Sequence, residues 1–224
     1  MGITIDELQV ADNPEAWRGA GFAVDDDGVC RVGTVRIRLV GPDAGRGIVG
    51  WSLRGTPDGV LGRELDGLLD GVLDGVLDGI ATGTSAAAPA TPATHPNGVT
   101  HIDHLVLTTP DLARTAAALR TIGLEARRER DGMLSGEPVR QVFYRLSEVI
   151  LEVVGPPGGT SDEPSRLWGV THVVADIDAA AARLGDALGP VKDAVQPGRR
   201  IATLRNREIG ISVRTALISP HVRR

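Results

Sequence analysis

Short runs in which apolar residues alternate with polar ones dominate the chain, and glycine, proline or aspartate bounds most of them. Residues 3–10 form the first such run. Asn13-Pro14 then opens a helical turn through Trp17 and Arg18, since proline suits the first turn of a helix, and Ala20-Gly21 ends it. Residues 29–32 and 35–40 flank Gly33-Thr34, a hairpin signal, and residues 47–54 add a strand around Trp51.

Residues 100–156 carry a fuller pattern. Residues 101–107 read as a strand, and Thr108-Thr109-Pro110-Asp111 caps a helix over residues 112–122. Leu112, Ala116, Leu119 and Ile122 recur there at helical spacing, and Gly123 stops the helix. A strand at 124–128 and a hairpin of 140–146 with 149–154, turning at Ser147-Glu148, complete a β-α-β-β-β unit. Residues 167–218 give the order again. A strand at 170–175 leads to an alanine-rich helix at 178–188, and strands at 200–205 and 208–216 flank Asn206-Arg207.

The repetition is visible in the residues themselves. Residues 33–42 align without a gap with 147–156, and residues 4–10 with 101–107. Glu7 then stands opposite His104, and Arg38 opposite Glu152. In the third unit one gap before Arg207 sets Ser212 opposite Glu152.

Between the first and second units the pattern breaks. Leu65-Asp-Gly-Leu, Leu69-Asp-Gly-Val, Leu73-Asp-Gly-Val and Leu77-Asp-Gly-Ile form a four-residue repeat. Its aspartates are hard oxygen ligands, but the spacing fits neither the EF-hand loop nor the glycine-rich calcium repeat. It reads as a low-complexity insertion, followed by an Ala/Thr/Pro linker over residues 84–96. The expected organisation is a shortened unit at 1–56, insertion and linker at 57–99, and units at 100–160 and 165–219.

Composition narrows the function classes. A chain of 224 residues holds one large domain or two small ones. No apolar run approaches the length of a membrane helix, and the N-terminus shows no signal-peptide pattern. A single cysteine, Cys30, fits a reducing cytoplasm and excludes an internal disulfide. The net charge of -5 argues against a nucleic-acid surface. Lys192 is the only lysine, so the many arginines reflect codon bias and carry little signal by number alone.

Three segments resemble the vicinal oxygen chelate superfamily, which includes glyoxalase I, extradiol dioxygenases, fosfomycin-resistance enzymes and bleomycin-binding proteins. They are Ile102-Asp-His-Leu-Val-Leu-Thr-Thr-Pro-Asp-Leu112, Val149-Ile-Leu-Glu-Val-Val-Gly155 and Trp168-Gly-Val-Thr-His-Val-Val-Ala-Asp-Ile-Asp178. The resemblance covers residues 100–218 well and 1–56 more weakly. It implies an α+β fold of repeated β-α-β-β-β units, two of them paired into a cup, with a shortened N-terminal unit beside them. It also implies that first and last strands aim ligands at a divalent metal (iron, manganese, nickel or zinc) that binds two vicinal oxygens of a small molecule.

On that resemblance His104, Glu152 and His172 are the candidate metal ligands, and Glu152 the candidate proton carrier. Strand alternation puts Ile102, His104 and Val106 on one face, and Ile150, Glu152 and Val154 on one face. Gly169 falls opposite His104 in the third unit, and only a shift of register brings His172 to the ligand position. Glu152 interrupts an apolar strand, a costly place for a carboxylate unless it is paired, metal-bound or facing a wet cavity. Arg199 and Arg200 read either as a clamp on a substrate anion or as a solvated turn. Tyr144 and Trp168, with Phe143, read as pocket lining or as core.

The functional expectation is a glyoxalase-like protein that acts on or binds a small oxygenated molecule. With metal it would be a lyase, isomerase or dioxygenase. Without metal it would sequester a small molecule or serve as an interaction module. The first unit has no evident partner within the chain: it either packs on the edge of the cup or pairs with its equivalent in another molecule, and the second alternative gives a homodimer through residues 1–56.

Overall fold

The computed structural model describes residues 2–57, 75–134 and 136–221. Each helix starts where a side chain takes up its first free N–H groups. Asn13 accepts from Glu15 N at 2.9 Å to begin α1 (Pro14–Gly19). Asp111 accepts from Arg114 N at 2.9 Å to begin α2 (Leu112–Thr121). Asp176 accepts from Asp178 N and Ala179 N at 2.8 and 3.1 Å to begin α3 (Ile177–Leu184). The last helix is shorter than its alanine-rich sequence predicts, because Gly185 leaves helical geometry at φ 52.

The strands form two mixed sheets. The first holds β1 (Thr4–Val10), β2 (Val29–Val32), β3 (Val35–Leu39), β4 (Ile48–Arg54), β5 (Gly75–Leu77) and β6 (Ile80–Ser85), in the order β2-β3-β1-β4-β6-β5. The second holds β7 (Val99–Thr108), β8 (Arg128–Leu134), β9 (Glu137–Leu146), β10 (Val149–Gly155), β11 (Arg166–Val174), β12 (Lys192–Asp193), β13 (Arg200–Thr203) and β14 (Arg214–Ile218). Its order is β12-β13-β14-β11-β7-β10-β9-β8, and it curls into a half-barrel.

One pairing rule builds both sheets. The first strand of a unit runs parallel to the last strand of that unit and antiparallel to the first strand of the next. Thus β7 pairs with β10 and β11, and β11 with β14. In the first sheet β1 pairs with β3 and β4, and β4 with β6. The unit expected at 1–56 therefore closes at β3, and β4 opens another, of which residues 58–74 lie outside the described ones. Its hairpin lies where an insertion and linker were expected. The turn of that hairpin is Asp78-Gly79, with φ 52 and 84, the left-handed pair that an Asp-Gly dipeptide supplies. The earlier copies of the Leu-Asp-Gly repeat lie outside the described residues. Because β1 finds its antiparallel neighbour within the chain, the stated reason for a dimer through residues 1–56 does not hold.

The core lies where the sheets and helices meet, with β4 against β11 and β2 against β7. Trp17, Trp51, Leu8, Leu53, Ile102 and Leu105 are fully buried in it. Polar ties cross the same junction. Asp12 accepts from Trp17 Nε1 at 3.0 Å and from Ser212 N at 2.7 Å. The hairpin turn at Thr34 donates its N–H to Glu148 in the equivalent turn of the second sheet at 3.2 Å. Among the described residues no helix is long and apolar enough to cross a membrane.

Candidate active site in the eight-stranded cup

Alternation along β7 predicts that Asp103 and His104 face opposite ways. A bulge overturns this. Against β11, His104 pairs with Thr171 and Ile102 pairs with His172, which leaves Asp103 as the extra residue. Beyond the bulge the two faces exchange. Ile102 turns into the core, 1% exposed, while Asp103 and His104 both line the concave side of the sheet. That concavity is a cavity of about 780 Å³.

Asp103 ties His104 to the scaffold. Its Oδ2 accepts from His104 Nδ1 at 2.8 Å, and its Oδ1 pairs with Arg199 Nη1 at 2.7 Å. Burial pulls the Asp103 carboxyl upward, but the hydrogen bonds from His104 and Arg199 and the charge of Arg199 outweigh it and hold the group at about 2. An ionised carboxylate only accepts, so Nδ1 of His104 carries a proton and Nε2 is the ring nitrogen left facing the cavity. Arg199 is 2% exposed and also donates from Nε to Ser219 O at 2.8 Å. Its Nη1 lies 3.2 Å from His221 Nε2.

Glu152 meets His104 from β10. Ile150 pairs with His104 in the parallel ladder, so Glu152 sits two residues further on the same face. Its Oε2 lies 4.0 Å from His104 Nε2, and its Oε1 accepts from Gln141 Nε2 on β9. A substrate atom between imidazole and carboxylate would be reached by both.

The other two ring positions carry no donor. Gly169 pairs with Arg214 on β14 as His104 pairs with Ile150, and two residues further, at the counterpart of Glu152, stands Ala216. A side chain at Gly169 is excluded, because its Cβ would come within 2.7 Å of Arg214 O. Among the described residues no group of three His, Cys, Asp or Glu side chains converges on a point. Two donors fall short of the three or four that protein metal centres use, so the residues present do not fit a resident divalent ion.

Several expectations need correction. His172 is not in the cup. It follows Ile102 into the core, is fully buried, and packs edge-on against Phe22 at 5.3 Å and Trp17 at 6.4 Å between ring centroids. Neither of its nitrogens has a hydrogen-bond partner. Ser212 precedes β14, and its Oγ accepts from Gly47 N at 2.7 Å. Arg199 is neither a clamp nor a solvated turn but the buried support of Asp103. Arg200 lies outside the cup, held by Asp178 through contacts of 2.9 and 2.6 Å. Tyr144, 3% exposed, forms part of the wall between the cup and a smaller cavity under α2. Trp168 is 46% exposed and lies 4.9 Å from the Arg214 guanidinium, beyond the cavity lining.

The residues that sequence reasoning missed are Asp103, whose bulge depends on β11, and Gln141, whose role depends on β9. Arg127, Arg128, Arg145 and Lys192 also line the cavity. Their charge is legible in sequence, but their convergence is not.

Two β-α-β-β-β units curled around one cup, with side chains offered from first and last strands, make the vicinal oxygen chelate fold. Solved structures share it over the length of the chain. A mutant of 4-hydroxymandelate synthase from Streptomyces coelicolor matches all of this chain and 93% of its own, with TM-score 0.61 and 17% identity. A catechol 2,3-dioxygenase matches 97% of this chain and 86% of its own, with TM-score 0.56 and 14% identity. A xylose isomerase-like TIM barrel/4-hydroxyphenylpyruvate dioxygenase fusion protein matches all of this chain with TM-score 0.63 and 13% identity, and this chain spans 50% of it. These likenesses carry the fold alone. No protein-family model and no curated protein matches the sequence.

Proposed function

We propose that the cup of the second sheet binds a small oxygenated molecule and that His104 exchanges a proton with it opposite Glu152, with no resident metal. The observation that carries this reading is the imidazole geometry. Nδ1 is fixed on an ionised Asp103 at 2.8 Å, while Nε2 faces a cavity with Glu152 4.0 Å away. A histidine held in one tautomer by a buried carboxylate is the arrangement of a general base. Glu152, 4.0 Å from Nε2, would stabilise the imidazolium that abstraction creates, and the same ring would return the proton to the carbon it left or to a neighbouring atom, which makes isomerisation beside a carbonyl the fitting reaction class. Gln141 orients Glu152 through the bond to Oε1.

The absent donors at Gly169 and Ala216 favour a second reading, sequestration of a small molecule without turnover. Deuterium exchange separates the two. A panel of α-keto acids and α-hydroxy acids is incubated in D2O with chelator and followed by proton NMR. Proton transfer predicts loss of the signal of the proton beside the carbonyl (C3–H of a keto acid, C2–H of a hydroxy acid) with wild type and not with His104→Gln. Binding without any exchange leaves sequestration.

A further inference from the structure

The cationic wall of the cup names the class of molecule it takes. Arg145 pairs with Ile150 across β9 and β10, and Ile150 pairs with His104, so all three stand in one row on the concave face. Arg128 pairs with Phe143, and Phe143 pairs with Glu152, which makes a second row. Adjacent strands lie about 4.8 Å apart, so each arginine starts roughly 10 Å or 15 Å along the sheet from β7. Long side chains from those positions reach back over the cavity, where Arg127 joins them. Lys192, the chain's only lysine, lines the cavity from β12 on the opposite edge of the sheet.

These cations lack the carboxylate partner that several other arginines have. Arg38 is paired with Glu7, Arg114 with Asp78, Arg140 with Asp131 and Arg199 with Asp103. Among the described residues no carboxylate comes within ion-pair distance of Arg127, Arg128, Arg145 or Lys192. Three acids line the cavity: Asp103 is consumed by Arg199, Glu152 faces His104 and Gln141, and Asp193 follows Lys192 on β12 at the far edge of the sheet from Arg128 and Arg145. A protein of net charge -5 thus gathers positive charge without ion-pair partners in this cup.

Resting on the reading of this cup as the ligand site, we infer that its ligand is a small oxyanion, a carboxylate or phosphoryl compound. Its anionic group docks on Arg128 and Arg145, and its neighbouring carbon lies between His104 and Glu152. Guanidinium groups suit this task because they bind carboxylate and phosphate oxygens through paired N–H donors.

The test titrates malonate, inorganic phosphate and neutral malonamide into the full chain, with calorimetry and the NMR signals of the His104 ring as readouts. The expected result is saturable, salt-weakened binding of malonate or phosphate that shifts His104, with no response to malonamide. Whichever anion binds more tightly assigns the carboxylate or the phosphoryl class. Arg128→Gln with Arg145→Gln should weaken that anion at least about tenfold, a change of roughly 1.4 kcal/mol. Arg200→Gln, outside the cup and paired with Asp178, should leave its affinity nearly unchanged. Anion binding that survives both arginine changes, malonamide binding as tight as malonate, or no anion binding at all overturns the inference. Anion binding to wild type with no proton exchange, or with exchange that persists in His104→Gln, leaves it standing while the proton-transfer reading fails, so the two failures show separately.

Discussion

Glu7 and His104 occupy the same position in the two sheets. Each follows an aspartate that forms a bulge: Asp6 is skipped between the Ile5–Leu53 and Glu7–Ser52 pairs, and Asp103 between the Ile102–His172 and His104–Thr171 pairs. Opposite them stand Arg38 and Glu152. In the first sheet the two side chains close on each other, Arg38 Nε donating to Glu7 Oε2 at 3.0 Å. In the second they stand 4.0 Å apart across an open cavity. One architecture is thus used twice, once shut by an ion pair and once left available. Arg38→Gln should cost about 2 kcal/mol, because Glu7 is 5% exposed and its Oε1 already lacks a partner. Urea midpoints measure the loss, and anion binding in the other cup should not change with it.

Asp103 lines the cup and fixes the tautomer of His104, and its part in proton exchange runs through that ring. Asp103→Asn keeps the size of the side chain but replaces a pure acceptor with an amide that no longer fixes the tautomer. Proton exchange should fall by about a hundredfold or more, with little change in the apparent affinity for substrate. The variant also leaves Arg199 facing a neutral partner, so it should unfold earlier. A matched fall in exchange and in affinity would mean that Asp103 merely shapes the cavity.

Much of the fold is written in local signals. Asn13-Pro14 and Asp111 start helices as capping rules require, and Ser147-Glu148 turns the hairpin between β9 and β10. Glu152 stood out because a carboxylate in Val-Ile-Leu-Glu-Val-Val must face something polar, and in the structure it faces His104 and Gln141. What the local pattern lacks is the neighbour. Whether Asp103 is bulged depends on how β7 meets β11, and that single extra residue decides the faces of Ile102, Asp103 and His172. Strands β5 and β6 were hidden for another reason: Gly, Asp, Ala and Thr give them no apolar alternation, and β4 and the second sheet stabilise them instead.

Asp78 illustrates that dependence and can be tested directly. Its side chain, 4% exposed, pairs with Arg114 Nε at 2.5 Å and accepts from the hydroxyls of Thr115 and Ser165, the latter at 2.5 Å. The last Leu-Asp-Gly copy therefore clasps the β5–β6 turn onto α2 and the start of β11. Asp78→Ala removes the carboxylate partner of a partly buried guanidinium and of two hydroxyls, which keep their other hydrogen bonds, and should cost about 2 kcal/mol. Hydrogen exchange should show β5 and β6 opening before the eight-stranded sheet does. Uniform loss of protection in both sheets would contradict a local clasp.

Acid stability should be set largely by His172. Burial pushes its pKa down from 6.5 to about 3, and the nearby His95, His101 and His104 push in the same direction. The folded ring resists a proton that the unfolded ring accepts. Stability from this group is therefore complete above the unfolded value of 6.5 and is lost as pH falls from there toward 3. His95 has the same sign, its pKa lowered chiefly by burial. His172→Phe keeps a ring against Trp17 and Phe22 and removes two nitrogens that have no partner. At neutral pH it should be no less stable than wild type by more than about 1 kcal/mol. Below 6.5 its advantage should grow with each step toward acid. Urea midpoints collected across that range decide the matter: parallel curves for the two proteins would show that the buried ring does not govern the acid limb, and converging on the same acid midpoint would place the burden on His95 instead.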